Sequence, residues 1–501
     1  IWEGEPGDQQ IITYQDLARR VQQFSNGLLK LGYKTGDRAI IYMPMIPELP
    51  IAMLACARLG IAHSVVFGGF SAEALKTRIQ DLEATLVVTA DGGWRRGKIV
   101  PLKKAVDEAL EECPGVKHSV VYRRTNNDIT MAEGRDVDWA DAIANVSESC
   151  PAVELDSEHP LYVLYTSGTT GKPKGAELSH SNLLLNCAVV VPKLIPLDRD
   201  DVALATLPLF HSFGQTCIQN AMISLGATFT LLPRFTPEAA LEIIQRDRVT
   251  LFAGVPTMYF AILNHEGADA YDLSSIDWCM CGGAPMPVEV MKAFEAKYGV
   301  TILEGYGLSE TSPVASFNVL DRPRKPGSIG YPAWGVEMCI MNEKDEPLPD
   351  DEVGEICIRG HNVMKGYWQR PEATAETMRQ GWFHSGDVGM RDADGSYFIV
   401  DRKKDMIIRG GFNVYPREVE EVLYAHTAIV EAAVIGVPHE SHGEEVKAVV
   451  ALAKGASVTV EEIIAYSKEN LAAYKYPRIV ELVDELPKGP TGKILKRALK
   501  E

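Results

Sequence analysis

The stretch that most constrains this chain is Tyr165-Thr166-Ser167-Gly168-Thr169-Thr170-Gly171-Lys172-Pro173-Lys174-Gly175, which follows the apolar run Leu161-Tyr162-Val163-Leu164. It reads as a strand running into a phosphate-binding loop. Glycines let the backbone approach an anion closely, consecutive N–H groups converge on its oxygens, hydroxyls add donors and lysines add charge. A nucleoside triphosphate is the natural guest. The loop is not a Walker A sequence, because two residues separate Gly168 from Gly171 and Lys172 is followed by Pro173 rather than Ser or Thr.

The 501 residues exceed the size at which one core stops growing, so at least two domains are expected. Asp and Glu number 68 against 50 Lys and Arg, a formal charge of −18 that argues against general nucleic-acid binding. Phosphate-bearing ligands must therefore meet local positive charge. No apolar stretch has the length of a membrane helix. Nine scattered cysteines show no metal-cage spacing and fit buried thiols in a reducing cytosol. The chain opens at Ile1, so any leader is expected to have been removed or omitted.

Thr13 and Asp16 form a capping pattern ahead of Leu17, Val21, Phe24, Leu28 and Leu31, one face of a helix that Gly32 stops. Ala39 to Met43 reads as a buried strand, Leu49 to Leu59 as a helix, and Ile61 to Phe67 and Leu86 to Val88 as further strands. This alternation indicates parallel βαβ units and an α/β layer structure. Asp91 to Lys98 reads as a glycine-basic loop, a solvated turn or a phosphate dock, and residues 103 to 158 as acidic and irregular. Tyr397 to Val400 is a strand leading into Asp401-Arg402-Lys403-Lys404-Asp405, a charged linker. A helix near Pro416, strands from Ile429 and Val446, and a helix near Val460 form a compact α+β unit of about 100 residues. Lys493 follows Gly489 and Pro490 in a loop.

Together with Gly305-Tyr306-Gly307-Leu308-Ser309-Glu310-Thr311, His384-Ser385-Gly386-Asp387 and Pro490-Thr491-Gly492-Lys493, the glycine-hydroxyl loop resembles the signatures of the adenylate-forming acyl-CoA synthetases. That family includes acetyl-CoA synthetase, fatty-acyl-CoA ligases and firefly luciferase. Residues before about 155 resemble acetyl-CoA synthetases and those after resemble fatty-acyl ligases, leaving open a composite chain or a natural lineage between the branches.

The resemblance implies a large N-terminal domain of layered sheets and helices over 1–401 and a small mobile α+β domain over 402–501. It implies an AMP-forming acid–thiol ligase using ATP, Mg²⁺, CoA and a small carboxylic acid, cytoplasmic, without a transmembrane segment. Lys493, His211 and Glu310 would be catalytic, with Glu310 also the metal ligand. ATP and AMP would meet Thr166, Ser167, Gly168, Thr169, Thr170, Gly171, Lys172, Lys174, Gly283, Ala284, Pro285, Glu304, Gly305, Tyr306, Ser309, Asp387 and Arg402. Lys404 would be the hinge. CoA would meet Phe67, Gly69, Arg95, Lys98, Gly411 and Phe412, and the acyl chain Phe213, Val255, Gly307 and Val314. Gly307 stands where acetyl-CoA synthetases carry a bulky Trp, which implies a medium or longer fatty acid. The alternatives are a related adenylating enzyme with another acyl acceptor or a short-chain acid, and a nucleotide-binding protein without catalysis.

Overall fold

Thr13 caps the first helix of the computed structural model, Tyr14–Lys30: its hydroxyl accepts from the Asp16 N–H at 3.1 Å, and Val21, Phe24 and Leu28 are buried. The helix expected from this capping pattern is present. The structure describes residues 1–5, 7–166 and 173–500. They divide into two units, one of Ile1–Ala253, Leu308–Pro313 and His361–Glu376, the other of Gly254–Gly307, Val314–Gly360 and Thr377–Glu501.

In the first unit an eight-stranded sheet runs Gly366–Tyr367, Lys174–Ser179, Pro160–Thr166, Ala62–Phe67, Arg38–Met43, Leu86–Ala90, His118–Tyr122, Asp136–Asp138. The last five pair in parallel. Helices Glu48–Leu59, Ala72–Leu82 and Leu102–Leu110 lie in the connections, as βαβ units require. Sequence neighbours Ile40 and Ile41, and Val87 and Val88, are all buried, so both faces of this sheet are covered.

Two expectations are corrected here. Residues 103 to 158 are not irregular: they hold most of the Leu102–Leu110 helix, strands His118–Tyr122 and Asp136–Asp138, and helix Trp139–Ile143. Asp and Glu outnumber Lys and Arg here by 13 to 6, yet Leu102, Val106, Ala109 and Leu110 fall at helical spacing and are buried. Nor is Asp91 to Lys98 a plain loop. Strands Gly93–Arg95 and Lys98–Val100 form a hairpin whose two turn residues, Arg96 and Gly97, have φ of 54° and 71°, the left-handed pair that suits a two-residue connection.

In the second unit, Trp278–Cys281 and Ile302–Gly307 pair in parallel, and Val314–Phe317 and Tyr331–Pro332 extend that run antiparallel. A five-stranded sheet holds Val336–Met341, Gly354–Gly360, Trp382–Arg391, Met378–Arg379 and Tyr397–Arg402. A third sheet, with strands Ile407–Arg409, Ile429–His439 and Gly443–Leu452 among its members, packs near helices Pro416–Tyr424 and Val460–Asn470. Val419, Leu423, Val434, Val446, Val450 and Ile463 form its core, the α+β arrangement expected for the end of the chain. The charged run expected as a linker is partly strand, since Asp401 and Arg402 close Tyr397–Arg402 before the chain turns.

The hairpin carrying Arg95 and Lys98 is fixed by one carboxylate. Asp91, fully buried at the end of Leu86–Ala90, accepts from the N–H groups of Gly92 at 2.7 Å, Arg124 at 2.8 Å, Thr125 at 3.0 Å and Asn126 at 2.7 Å. Removing it strands several donors away from water. Asp91→Ala is predicted to cost at least about 3 kcal/mol in urea unfolding, with Asp91→Asn recovering part of the loss. A loss near zero contradicts this role.

Candidate active site

In the first unit, the Pro160–Thr166 strand turns back as Lys174–Ser179, and Thr166 pairs with Lys174 across the hairpin. The Thr166 hydroxyl donates to the Lys174 carbonyl at 3.4 Å, at the neck of the stretch expected to bind phosphate. Ser167, Gly168, Thr169, Thr170, Gly171 and Lys172 lie outside the described residues. Ser309 and Glu310 sit in the short turn Ser309–Thr311, held by the Met364 N–H, which donates to the Glu310 carbonyl at 2.8 Å.

A residue that sequence reasoning missed joins these parts. The Gly366–Tyr367 strand pairs with Lys174–Ser179 and sets Tyr367 between them: its ring lies 5.1 Å below the Lys174 ammonium, and its hydroxyl donates to Glu310 at 2.9 Å. Burial, then the Glu310 carboxylate, push the phenol pKa up, so it remains a donor. The only signal in the sequence was an aromatic after Gly366, too little to distinguish it from a core residue.

The structure also brings together Phe67, Gly69 and Arg95. The Arg95 guanidinium stands 5.3 Å over the Phe67 ring, and a Cβ on Gly69 would lie 2.4 Å from that ring and 2.8 Å from Arg95 Nη1. A side chain at this position would have to displace that ring or the guanidinium. Arg95 and Lys98 are cross-strand partners, both exposed. His211 Nδ1 accepts from the Phe213 N–H at 3.3 Å, and Phe213 is buried at the start of the helix Phe213–Asn220.

In the second unit, Asp387 is held from two sides. The Tyr306 hydroxyl donates to one carboxylate oxygen at 2.6 Å, and Arg402 Nε reaches the other at 3.0 Å. Burial, then Asp387 itself, push the Tyr306 pKa far up. The Lys493 loop is a tight turn, in which the Gly489 N–H donates to the Lys493 carbonyl at 2.8 Å and Gly492 has φ of 81°. The Gly492 carbonyl accepts from Thr257 at 3.2 Å, and a Cβ on Gly492 would meet Val255 at 3.3 Å. Val255 is equally the neighbour of Gly283, the turn leading to Ala284 and Pro285.

Burial pushes the Lys493 ammonium pKa down to about 8, Arg402 and Lys404 adding to the fall while Asp387 and Asp405 oppose it. Gly307 and Val314 are cross-strand partners at an irregularity in register. Glu304 is turned inward: it accepts from the N–H groups of Met286 at 3.3 Å and Gly327 at 3.2 Å, and burial pushes its pKa up to about 7. Gly305 follows it, packed so that a Cβ would strike Phe317. Gly411 and Phe412 are exposed, Phe412 lying 4.9 Å from the Tyr474 ring, and Lys404 is exposed in its turn.

The profile of the family described as AMP-binding enzyme matches residues 2–368, and that of the AMP-binding enzyme C-terminal domain matches 418–493. The chain belongs to the AMP-binding enzymes. It is 38% identical to the long-chain-fatty-acid–CoA ligase of Bacillus subtilis (strain 168), over 98% of this chain and 90% of that one. It is 37% identical to an acetyl-coenzyme A synthetase of Methanothrix soehngenii, over 100% of this chain and 78% of the relative. The ATP-bound crystal structure of MatB from Rhodopseudomonas palustris superposes with a TM-score of 0.88 at 32% identity, covering 100% of this chain and 94% of that one. The expectation of an adenylate-forming acyl-CoA synthetase, an AMP-forming ligase that uses ATP and CoA, is borne out at the level of the family, and with it the fold class.

AMP-binding enzymes work on ATP with Mg²⁺, and the donors here suit that hard cation. Glu310 and the Thr166 hydroxyl offer oxygen ligands. Tyr367 occupies one side of the Glu310 carboxylate and so orients it. Tyr367→Phe, which keeps the ring for Lys174, is predicted to raise several-fold the Mg²⁺ concentration giving half-maximal ATP-dependent pyrophosphate release. An unchanged Mg²⁺ dependence contradicts this orienting role. Among the described residues, no helix is long and apolar enough to cross a membrane.

Proposed function

We propose that this AMP-binding enzyme is an ATP-dependent carboxylate–CoA ligase that acts on medium- or long-chain fatty acids. The observation that carries the reading is the Lys493 turn, seated on Val255 and Thr257, whose ammonium feels the charges of Asp387 and Arg402. In the first half-reaction a carboxylate oxygen attacks the α-phosphorus of ATP, the bond to the β-phosphate bridge breaks, and pyrophosphate leaves. Anion meets anion, so preorganised positive charge lowers the barrier. Lys493 supplies it in the second unit, and in the first unit Thr166 and Lys174 are the residues expected to meet phosphate. Glu310 and the Thr166 hydroxyl would hold Mg²⁺, which when bound would offset negative charge on the phosphates. Asp387 accepts from the ribose hydroxyls, and Gly283 to Pro285 with Tyr306 line the adenine.

In the second half-reaction the CoA thiol attacks the acyl carbon and AMP leaves as the thioester forms. Arg95 and Lys98 suit the phosphates of CoA, and Gly411 and Phe412 its pantetheine arm. We place the domain boundary at 401/402 and the hinge at Lys404, whose rotation would withdraw Lys493 between the two steps. A cytoplasmic location fits nine unpaired cysteines.

Lys493 must carry its proton to act. Its pKa near 8 therefore predicts that kcat/KM for adenylate formation falls as pH rises through about 8, with thioester formation from supplied acyl-adenylate unaffected. Lys493→Ala should lose the first half-reaction and keep the second. Adenylate formation at the parent rate in that variant would sink the assignment.

The acyl preference rests on Gly307. Its missing side chain leaves room for methylenes worth about 0.8 kcal/mol each. Thioester and AMP formation across straight-chain acids should peak at medium or longer chains, and Gly307→Trp should move the peak towards acetate and propionate. A parent profile peaking at acetate refutes the chain-length assignment. AMP formation without any thioester would instead favour a different acyl acceptor.

A further inference from the structure

Asp387 stands at a fault in its sheet. Strands Gly354–Gly360 and Trp382–Arg391 pair Glu355 with Val388 and Cys357 with His384, so Ser385, Gly386 and Asp387 together oppose Ile356 alone. Such a bulge re-aims a side chain and leaves ladder groups without partners. Gly386, at φ of 74°, is its left-handed residue. The Ser385 hydroxyl donates to the Ile356 carbonyl at 2.6 Å and accepts from the Asp387 N–H at 3.1 Å.

The amide that the bulge turns out of the ladder is satisfied by a side chain. The Gly386 N–H donates to Glu355 Oε1 at 2.9 Å, and the Gly386 carbonyl accepts from the Lys403 N–H at 3.0 Å. Glu355 Oε2 faces Lys403 Nζ at 3.6 Å, His384 Nδ1 at 3.3 Å and Arg379 at 3.9 Å. Glu355, Cys357 and His384 lie close enough to one another to suggest a metal cage. Arg379 already stands 2.8 Å from His384 Nδ1, and because a guanidinium only donates, it occupies the lone pair of that nitrogen. The cluster already holds cations of the protein itself: Arg379 donates to Asp345 at 2.9 and 2.8 Å, and Lys403 faces Glu355 at 3.6 Å.

We propose that Glu355 is a positioning residue for the nucleotide: its carboxylate holds the Ser385–Gly386–Asp387 bulge in the shape that aims Asp387 at the ribose hydroxyls. The proposal rests on the reading of Asp387 as the ribose acceptor. Losing the Glu355 acceptor frees the Gly386 amide, relaxes the bulge and blurs the recognition of the sugar, while the adenine and phosphate contacts are left alone.

The test is the ratio of kcat/KM for ATP to that for 2′,3′-dideoxy-ATP in pyrophosphate release. A merely destabilised variant loses both substrates equally and keeps the ratio. Glu355→Met, of similar length but without an acceptor, is predicted to shrink the ratio about tenfold, the factor that goes with one charge-assisted hydrogen bond. Glu355→Gln, whose amide oxygen still reaches Gly386, should stay within about twofold of the parent. Asp387→Ala should abolish the preference. If Glu355→Met does not accumulate as folded protein, Glu355→Ser, too short to reach Gly386, gives the same readout. A parent-like ratio in the Met or Ser variant, with Asp387→Ala collapsed, overturns the role of Glu355 and leaves the proposed function standing. A parent-like ratio in Asp387→Ala overturns the ribose reading itself.

Discussion

A positive charge held at Lys493 is the constraint on which the chemistry proposed for the second unit depends. The turn that presents it shields the amine from water, which favours the neutral form. Asp387 and Asp405 oppose that drift, and with a pKa near 8 the ammonium remains mostly protonated at neutral pH. Asp387 thus serves twice, as a counter-charge to Lys493 and as the acceptor fixed between Tyr306 and Arg402. The register fault in its strand lets one carboxylate do both.

The first unit meets the opposite problem, a carboxylate that must stay oriented. Glu310 lies in a short turn with little geometry of its own, and its direction comes from the Tyr367 hydroxyl. The same ring carries the Lys174 ammonium, so one aromatic side chain orients an anion and a cation at once. Its placement follows from backbone pairing. The Gly366–Tyr367 strand is only two residues long, yet the Trp368 N–H donates to the Gly175 carbonyl at 2.7 Å and Lys365 N–H to the Glu177 carbonyl at 3.0 Å, which pins it alongside Lys174–Ser179.

Features encoded by neighbours in sequence were legible in advance. The Thr13 cap, the alternation of strand and helix from Ala39 to Val88, and the Gly-Pro turn before Lys493 all reflect local steric and hydrogen-bonding preferences. The roles expected of Asp387, Arg402 and Lys493 come from resemblance, not from spacing. What escaped notice was set by contacts distant along the chain. Tyr367 meets Glu310 from 57 positions away, and Glu355 meets the Gly386 amide from 31. Neither carries a local pattern. The helix Leu102–Leu110 was hidden differently, by the acidic segment in which it lies, although the periodicity of its buried face marks it.

The central claim is that this enzyme activates a carboxylate as its adenylate before any thiol takes part. Exchange of labelled pyrophosphate into ATP measures that step most directly, because it requires reversible formation of the adenylate and nothing later. Exchange that depends on a fatty acid and proceeds without CoA is the predicted result. Exchange that is absent with every acid, or that appears only once CoA is added, would contradict the account.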